Sequence, residues 1–340
     1  MNLHFGTARL LLGGTLVFGL VGTAVAQEVA WDFNNNYAIA RDETGYLEAW
    51  ADDIRESSGG RLDITVHSGG SMGLADADVL QWLGSGAVES GFVYANFLGR
   101  DAPALQLALT QGVVGSDEEM ALAIPELQAI FEEALPPFNI QIVGYMGLPP
   151  LAVAIFCQDD PVDTLDELRE KRLRVWAADQ VTTFEQLGVA AEIIPQEEIY
   201  VALTTGVVDC ALYPPRLAHT VSLQEASDYA AYLYPVTAIP YVISVNQDAW
   251  DALPEDLQQV VLDATDRLWA TSSDYSDAAD QDQAAVDGLA EAGVEWLGSF
   301  PEEDRSAFTD AAAEVWRVRV EEVGPPAPEY RQRILEALGR

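Results

Sequence analysis

The residue with the clearest chemical potential is an arginine inside a predicted strand. The sequence places Arg174 between the apolar residues Leu173 and Val175. Because side chains alternate along a strand, packing Leu173 and Val175 in the core would turn Arg174 to the other face. Its planar guanidinium stays charged at working pH and can bind a carboxylate through two parallel hydrogen bonds. Arg174 is therefore a candidate carboxylate anchor, and the alternative is a structural salt bridge to Glu197 or Glu198.

Residues that could serve catalysis or bind a metal ion are scarce. The histidines are His4, His67 and His219. Neither His67 nor His219 has a Cys, His or Glu partner at the spacing of metal ligands, and no serine-nucleophile or phosphate-loop motif is present. Acidic residues are so abundant that no single carboxylate pair is informative. We predict no catalytic residue, no metal ion and no cofactor.

The composition is strongly acidic. There are 55 Asp and Glu residues against 17 Lys and Arg residues, a formal net charge of −38. Nucleic acid is an unsuitable partner for such a chain, because phosphate binding requires a basic surface. A surface of this kind repels itself at low salt, and halophilic proteins use the same balance. We infer a salty habitat; the alternative is simply a very soluble protein.

The first 26 residues have the features of a secretion signal. Arg9 precedes the apolar run from Leu10 to Val21, and the small residues Ala24-Val25-Ala26 follow. Cleavage after Ala26 would leave Gln27 at the mature N-terminus. The run is too short to span a bilayer comfortably, although an uncleaved anchor is the alternative. We therefore expect a periplasmic protein.

The two cysteines, Cys157 and Cys210, allow two interpretations. Export would place them in an oxidising compartment, where they could form a disulfide. They could equally be two small buried hydrophobic side chains. The sequence does not choose between these alternatives.

Strand-like and helical patterns alternate along the mature chain. Residues 29–33 and 62–66 have strand periodicity, residues 44–57 have a helical stripe, and a further strand is predicted for residues 88–94. The alternation resumes over residues 173–212. This pattern predicts an α/β fold built from crossover units.

At 340 residues the chain is longer than one hydrophobic core usually supports, so two lobes are expected. We assign residues 27–150 and 240–279 to lobe I. Residues 151–239 and 280–340, including the C-terminal helices, are assigned to lobe II. The pair Pro149-Pro150 marks the crossing between them.

Two later segments are expected to tie the lobes together. The strand pattern from Tyr241 to Val245 returns the chain to lobe I. Pro254 then opens a long helix, with Pro at its first position and acidic residues near its N-terminus. Its helical character extends as far as Ala290. A helix of that length could bridge both lobes.

The order of residues after Arg174 is specific. Leu187-Gly188 and Pro195 precede the pattern Glu-x-Tyr-x-Ala-Leu-x-x-Gly-Val-Val-Asp at residues 198–209. This block resembles the DctP-type solute receptors of tripartite ATP-independent periplasmic (TRAP) transporters, and weaker resemblance covers most of the mature chain. The resemblance implies a type II periplasmic-binding-protein fold, in which two α/β lobes braced by a long helix close on a small organic acid. It also implies delivery to the small and large membrane subunits of a TRAP permease, and we expect a monomer rather than a dimer.

The resemblance also implies site residues. Arg174 falls on the arginine that pairs with the ligand carboxylate in the family. Tyr213 stands where sialic-acid receptors of the family carry a ligand-contacting asparagine, and Tyr94 and Phe97 stand where they carry a glutamate and an arginine. A second ligand-binding arginine at the lobe crossing is replaced by the apolar stretch 151–156.

These departures predict a flatter and more apolar cleft that holds one carboxylate. Trp176 can share a strand face with Arg174, although each aromatic residue taken alone is also compatible with core packing. Asn36 follows the first strand and could supply a polar contact, although a run of asparagines there is also ordinary turn chemistry. The candidate ligand-binding residues are Arg174, Tyr213, Trp176, Tyr94, Phe97, Asn36 and Glu198.

The predicted function is a periplasmic receptor that captures a monocarboxylate with an aromatic or apolar body and delivers it to a TRAP permease. One rival is a sensory protein that presents its ligand to a membrane receptor. The other is a secreted hydrolase that uses acidic residues with His219.

Overall fold

The computed structural model describes Met1 and residues 27–147, 151–236 and 240–340. Residues 2–26 of the predicted signal and the predicted crossing at Pro149-Pro150 lie outside the described residues. Within the described part of the chain, no helix is both long and apolar enough to cross a membrane.

The described residues contain eleven strands and twelve α-helices. The strands are β1 (Val29–Asn34), β2 (Leu62–His67), β3 (Ser90–Val93), β4 (Ile140–Met146), β5 (Leu151–Cys157), β6 (Arg172–Val175), β7 (Ala190–Ile193), β8 (Cys210–Tyr213), β9 (Tyr229–Val236), β10 (Tyr241–Asn246) and β11 (Glu295–Ser299). The helices are α1 (Asp42–Ser57), α2 (Val79–Trp82), α3 (Pro103–Gln106), α4 (Asp117–Ala134), α5 (Leu165–Leu168), α6 (Ala178–Gln186), α7 (Ile199–Thr204), α8 (Gln247–Asp251), α9 (Glu255–Ser272), α10 (Ala278–Glu291), α11 (Glu302–Val323) and α12 (Ala327–Ala337).

The strands form two mixed sheets. The first has the order β2-β1-β3-β10-β4, and the second has the order β11-β9-β5-β8-β6-β7. In the first sheet β1 is parallel to β2 and β3, whereas β10 is antiparallel to β3 and β4. In the second sheet β6 is parallel to β7 and β8, whereas β5 is antiparallel to β8 and β9. The predicted two-lobed α/β fold is confirmed, and β10 returns the chain to the first sheet as expected.

Helix α1 shows how the sequence pattern produces packing. Its apolar stripe, which includes Leu47 and Ile54, is buried, and each such side chain contributes roughly 1.5 to 3 kcal/mol through burial. Trp50 on the same stripe donates its Nε1–H to Oγ1 of Thr265 on α9 at 2.9 Å. Gly59, the residue after the C-cap, ends the helix at a φ of 65°, a conformation that L residues rarely adopt. Helices α1 and α9 therefore cover the first sheet together.

The predicted long helix is divided in two. Helical character extends to Glu291, but α9 ends at Ser272 and α10 begins at Ala278. Between them, Ser273 donates its hydroxyl to the Trp269 carbonyl, and the Asp274 side chain accepts from the Ser276 N–H. Such local side-chain bonds compete with helical hydrogen bonding. Helix α9 packs on α1 and β4 of the first sheet, whereas α10 packs on β5 and β11 of the second.

The C-terminal helices contact different parts of the molecule. Helix α11 packs on α6, whereas α12 packs on α4, where Arg333 forms ion pairs with Glu126 and Glu133. We therefore propose that α12 belongs with lobe I and not with lobe II. For the remaining residues we keep the predicted lobe division as a proposal.

The two cysteines form a disulfide, which was one of the two interpretations that the sequence allowed. Cys157 at the end of β5 is bonded to Cys210 at the start of β8, and the two residues are direct cross-strand partners. The bond joins residues 53 positions apart in the sequence and closes a loop that contains β6 and β7. It therefore constrains the part of the chain that carries Arg174.

Removal of this disulfide should destabilise the fold. The double variant Cys157→Ser/Cys210→Ser should lose about 2 to 4 kcal/mol in free energy of unfolding, because the open chain gains conformational entropy. Urea unfolding at high salt, with and without a thiol reductant, measures the effect. The reductant should lower the wild-type midpoint to that of the variant and leave the variant unchanged. An unchanged wild-type midpoint in the reductant would contradict a stabilising bond.

Candidate ligand-binding cleft

A cavity of about 480 Å³, here called the cleft, is lined by residues of both lobes. Parallel strands of both sheets present their carboxyl ends to it, as is usual for ligand sites of α/β folds. The lining residues that follow or end these strands are Asn36 and Tyr37 after β1, Tyr94 after β3, Trp176 after β6, Ile194 after β7 and Tyr213 at the end of β8. The antiparallel strands β5 and β10 contribute their first residues, Leu151 and Tyr241.

Arg174 lies in the wall of the cleft and is almost fully buried, with 1% of its surface exposed. Its Nε donates to the Ile194 carbonyl at 2.8 Å, and its Nη1 donates to the Leu212 carbonyl at 3.1 Å. Burial lowers the pKa of Arg174 to about 10, so the group remains cationic at neutral pH. Among the described residues Arg174 forms no ion pair, and the predicted alternative of a salt bridge to Glu197 or Glu198 is absent there.

Two aromatic rings flank this guanidinium. Its central carbon is 5.8 Å from the Trp176 ring centroid and 5.6 Å from the Tyr213 ring centroid, which is cation–π range. Tyr213 is buried, and its hydroxyl lies 3.3 Å from Oε1 of Gln196. The second lobe therefore presents one cation with two aromatic rings within cation–π distance of it.

The first lobe contributes a second cluster of aromatic side chains. The Tyr94 ring lies 5.2 Å from the Phe97 ring and 4.9 Å from the Tyr241 ring, measured between centroids. The Tyr241 hydroxyl donates to the Tyr37 hydroxyl at 2.9 Å. All four side chains line the cleft. Tyr94 and Phe97, which the sequence singled out, are thus brought together with two tyrosines that it did not.

A second cleft arginine, Arg41, was missed by the sequence reasoning. It is 7% exposed, forms a bidentate ion pair with Glu43, and donates from Nη1 to Oε1 of Gln196 at 3.1 Å. Its central carbon lies 3.9 Å from the Tyr37 ring centroid. Burial alone would lower the pKa of Arg41, but the Glu43 carboxylate raises it well above the ordinary value. Its position shortly after the loop that follows β1 was the one available signal, because Asn36 in that loop was already a candidate ligand contact.

Amide side chains fix the backbone that follows Arg174. Oε1 of Gln180 accepts from the N–H groups of Trp176 and Ala177 at 3.0 and 3.2 Å, and its Nε2 donates to Oε1 of Gln111 at 2.6 Å. Tyr234 donates its hydroxyl to the same Gln111 oxygen at 3.3 Å. Further amides in the lining are Asn96, Gln106 and Gln196. The cleft is therefore more polar than the four aromatic residues alone suggested.

Two carboxyl groups in or near the cleft have raised pKa values. Burial raises the pKa of Asp76 to about 7, although this group accepts a 2.7 Å hydrogen bond from Nδ2 of Asn36. Burial raises the pKa of Asp179 to about 6. Asn36 lines the cleft, but its Nδ2 also donates to the Leu74 carbonyl at 2.7 Å. Its amide hydrogens are thus used within the first lobe.

The remaining sequence candidates lie elsewhere. Glu198 is exposed and is not part of the cleft lining, whereas its neighbour Glu197 is. His67 pairs with Asp32 at 2.7 Å outside the cleft, and His219 is exposed. The described residues include no group of three or more His, Cys, Asp or Glu side chains that could hold a metal ion.

Known proteins with similar sequences and folds are solute receptors. Residues 35–322 match the family described as bacterial extracellular solute-binding protein, family 7 (DctP). The ectoine/5-hydroxyectoine-binding periplasmic protein UehA of Ruegeria pomeroyi is 24% identical over 324 residues, which cover 91% of this chain and 93% of that protein.

Two solved structures have the same fold. The solute receptor DctP7 of Bordetella pertussis, which binds pyroglutamic acid, has a TM-score of 0.80 at 20% identity and covers 92% of this chain and 100% of its own. A TRAP solute-binding protein of Sulfitobacter sp. with bound β-D-galacturonate has a TM-score of 0.77 at 21% identity, with the same coverage. Since the family match extends over most of the sequence and the fold agrees with it, the chain belongs to the DctP family of bacterial extracellular solute-binding proteins, the receptors of TRAP transporters.

Proposed function

We propose that this protein is a periplasmic TRAP receptor for a small monocarboxylate with a flat aromatic or apolar body, which it delivers to the membrane subunits of a permease. The proposal rests on the surroundings of the Arg174 guanidinium. This buried cation lines the cleft and is hydrogen-bonded to two backbone carbonyls, with no carboxylate partner among the described residues. A buried charge without a partner is costly, so a ligand carboxylate is the complementary group.

The charges of the other cleft arginines support a single carboxylate. Arg41 is neutralised by Glu43, and Arg100 is exposed and paired with Asp78 and Asp101. Of these three lining arginines, Arg174 alone lacks an acidic partner in the described part of the chain. One ligand carboxylate would therefore balance the cleft.

The shape and lining of the cleft support a small, flat ligand body. A volume of about 480 Å³ lies within the range of small-molecule sites. Trp176 and Tyr213 flank the cation on one side, and Tyr94 and Phe97 lie in the opposite lobe. Pyroglutamic acid and galacturonate, the ligands of the two similar structures, are both monocarboxylic acids. This agreement favours a monocarboxylate as the ligand.

A thermal-shift screen tests the ligand class first. Pyroglutamate, benzoate, 3-methylbutyrate and related monocarboxylates should be compared at high salt with their amides, which lack the charge. A ligand at 100 times its dissociation constant should add about 2.7 kcal/mol to stability. A panel in which the amides stabilise the protein as well as the acids do would contradict a carboxylate receptor.

Replacement of the anchor should remove binding. Arg174→Ala should weaken binding of the best monocarboxylate by roughly 3 to 5 kcal/mol, more than a hundredfold, because the ligand carboxylate loses its charged partner. Isothermal titration calorimetry measures the loss. The matched control is Arg172→Ala, since Arg172 lies on the same strand but is exposed and paired with Asp209.

The control variant should bind within about threefold of wild type. Arg174→Ala should also keep a melting temperature close to that of wild type. The removal of an unpaired buried charge stabilises the fold and offsets the loss of two hydrogen bonds. Wild-type affinity in Arg174→Ala would exclude the assigned anchor, and an unfolded variant would indicate a structural role.

Binding should depend on pH through Asp76. Its pKa of about 7 means that the group is neutral at pH 6 and negative at pH 8, where it repels an anionic ligand in the same cleft. The affinity for a monocarboxylate should therefore rise roughly threefold or more from pH 8 to pH 6. Calorimetry at both pH values measures this change. Asp76→Asn should remove most of it, and an unaltered pH dependence in that variant would show that another group is responsible.

A further inference from the structure

We infer that Glu43 makes the cleft selective for acids with one carboxylate. It does so because it forms an ion pair with Arg41, the cation that a second ligand carboxylate would need. The inference rests on the proposed function, in which Arg174 binds the first carboxylate. It concerns the second cleft arginine, Arg41, and assigns a role to the acidic residue two positions after it.

The geometry places Glu43 as an internal carboxylate for Arg41. Nε of Arg41 donates to Oε2 of Glu43 at 3.1 Å, and Nη2 donates to Oε1. The ion pair is therefore bidentate, with one hydrogen bond to each carboxylate oxygen. Both side chains are buried, with 7% and 5% exposed. Nη1 is held by Gln196 of the other lobe, and the ring of Tyr37 covers the guanidinium face. Each of the three side-chain nitrogens of Arg41 thus has a protein partner without a ligand.

The position of Glu43 keeps it from competing with the ligand for space. Arg41 lines the cleft, whereas Glu43 lines a separate cavity of about 230 Å³. Glu43 is not among the residues that line the cleft, so it neutralises Arg41 without occupying the space of the ligand. Glu43 and Arg41 are near neighbours in the sequence, so their ion pair forms at any ligand concentration. A ligand carboxylate would have to displace Glu43 from this pair, and it would gain little free energy by doing so.

The surroundings make a second ligand carboxylate unfavourable. With Arg41 neutralised, the cleft lining still includes two acidic side chains, Asp76 of the first lobe and Glu197 of the second. A dicarboxylate would bring its far end into a cleft that offers acidic neighbours and no second unpaired cation among the described residues. Specificity of this kind arises from the repulsive element as much as from the attractive one.

The decisive variant is Glu43→Gln, which keeps the side-chain shape and leaves the charge of Arg41 without a carboxylate. The probes are two matched pairs of acids, 4-methylbenzoate with terephthalate and butyrate with succinate. In wild type each monocarboxylate should bind more tightly than its dicarboxylate partner. Glu43→Gln should gain at least tenfold in affinity for a dicarboxylate and change the affinity for the monocarboxylate much less.

The matched control is Asp42→Asn, which removes one negative charge from the same helical turn. Asp42 is exposed, so this variant tests whether lower net charge alone admits dicarboxylates, and it should show no gain. Arg41→Gln in the Glu43→Gln background removes the freed cation, and any gained dicarboxylate affinity should disappear.

Thermal shift keeps the test valid if Glu43→Gln is weakly folded. An unpaired buried cation destabilises the variant, so terephthalate or succinate should raise its melting temperature more than that of wild type. An equal shift in both proteins, or an equal gain in Asp42→Asn, would overturn the inference. These results differ from a failure of the proposed function, which would appear as a wild-type protein that binds no monocarboxylate at all.

Discussion

The candidate binding site depends on one guanidinium that is buried away from water and has no counter-charge among the described residues. Arg174 lies inside the second sheet, and the carbonyls of Ile194 and Leu212 hold two of its nitrogens. Carbonyl dipoles orient the group but do not neutralise it, and burial lowers its pKa only to about 10. The strand order places these carbonyls on the two neighbours of β6, so the sheet itself defines where the charge lies. An acidic ligand is the group that would complete this arrangement.

Two arginines of the cleft show how context decides what the same side chain can do. Arg174 and Arg41 are both buried and both line the cleft. Arg41 has its counter-charge, Glu43, two residues away in its own lobe, whereas Arg174 faces the cleft from a strand whose neighbours offer only carbonyls. Desolvation acts on both, but the nearby carboxylate reverses the direction of the pKa change at Arg41. We therefore propose that charge pairing, and not arginine content, determines how many carboxylates the cleft can accept.

Local patterns predicted the fold better than they predicted the site. Alternation in β6 was sufficient to place Arg174 on the cleft side, and periodic stripes located most helices. Strands β9 and β11 were not predicted, because alanine, glycine and proline interrupt their apolar alternation. Arg41 and Gln196 were missed because their contact joins residues 155 positions apart. Glu198 was selected from a motif, yet the turn of chain after β7 directs Gln196 and Glu197 to the cleft and leaves Glu198 exposed.

In the proposed function, the ligand carboxylate is the missing partner of Arg174. A crystal structure of the complex with the monocarboxylate that binds best tests it most directly. We expect one carboxylate with its oxygens about 2.7 to 2.9 Å from the Arg174 guanidinium nitrogens, with Arg41 still bound to Glu43. A ligand carboxylate bound elsewhere, with Arg174 turned onto Glu197, would contradict it.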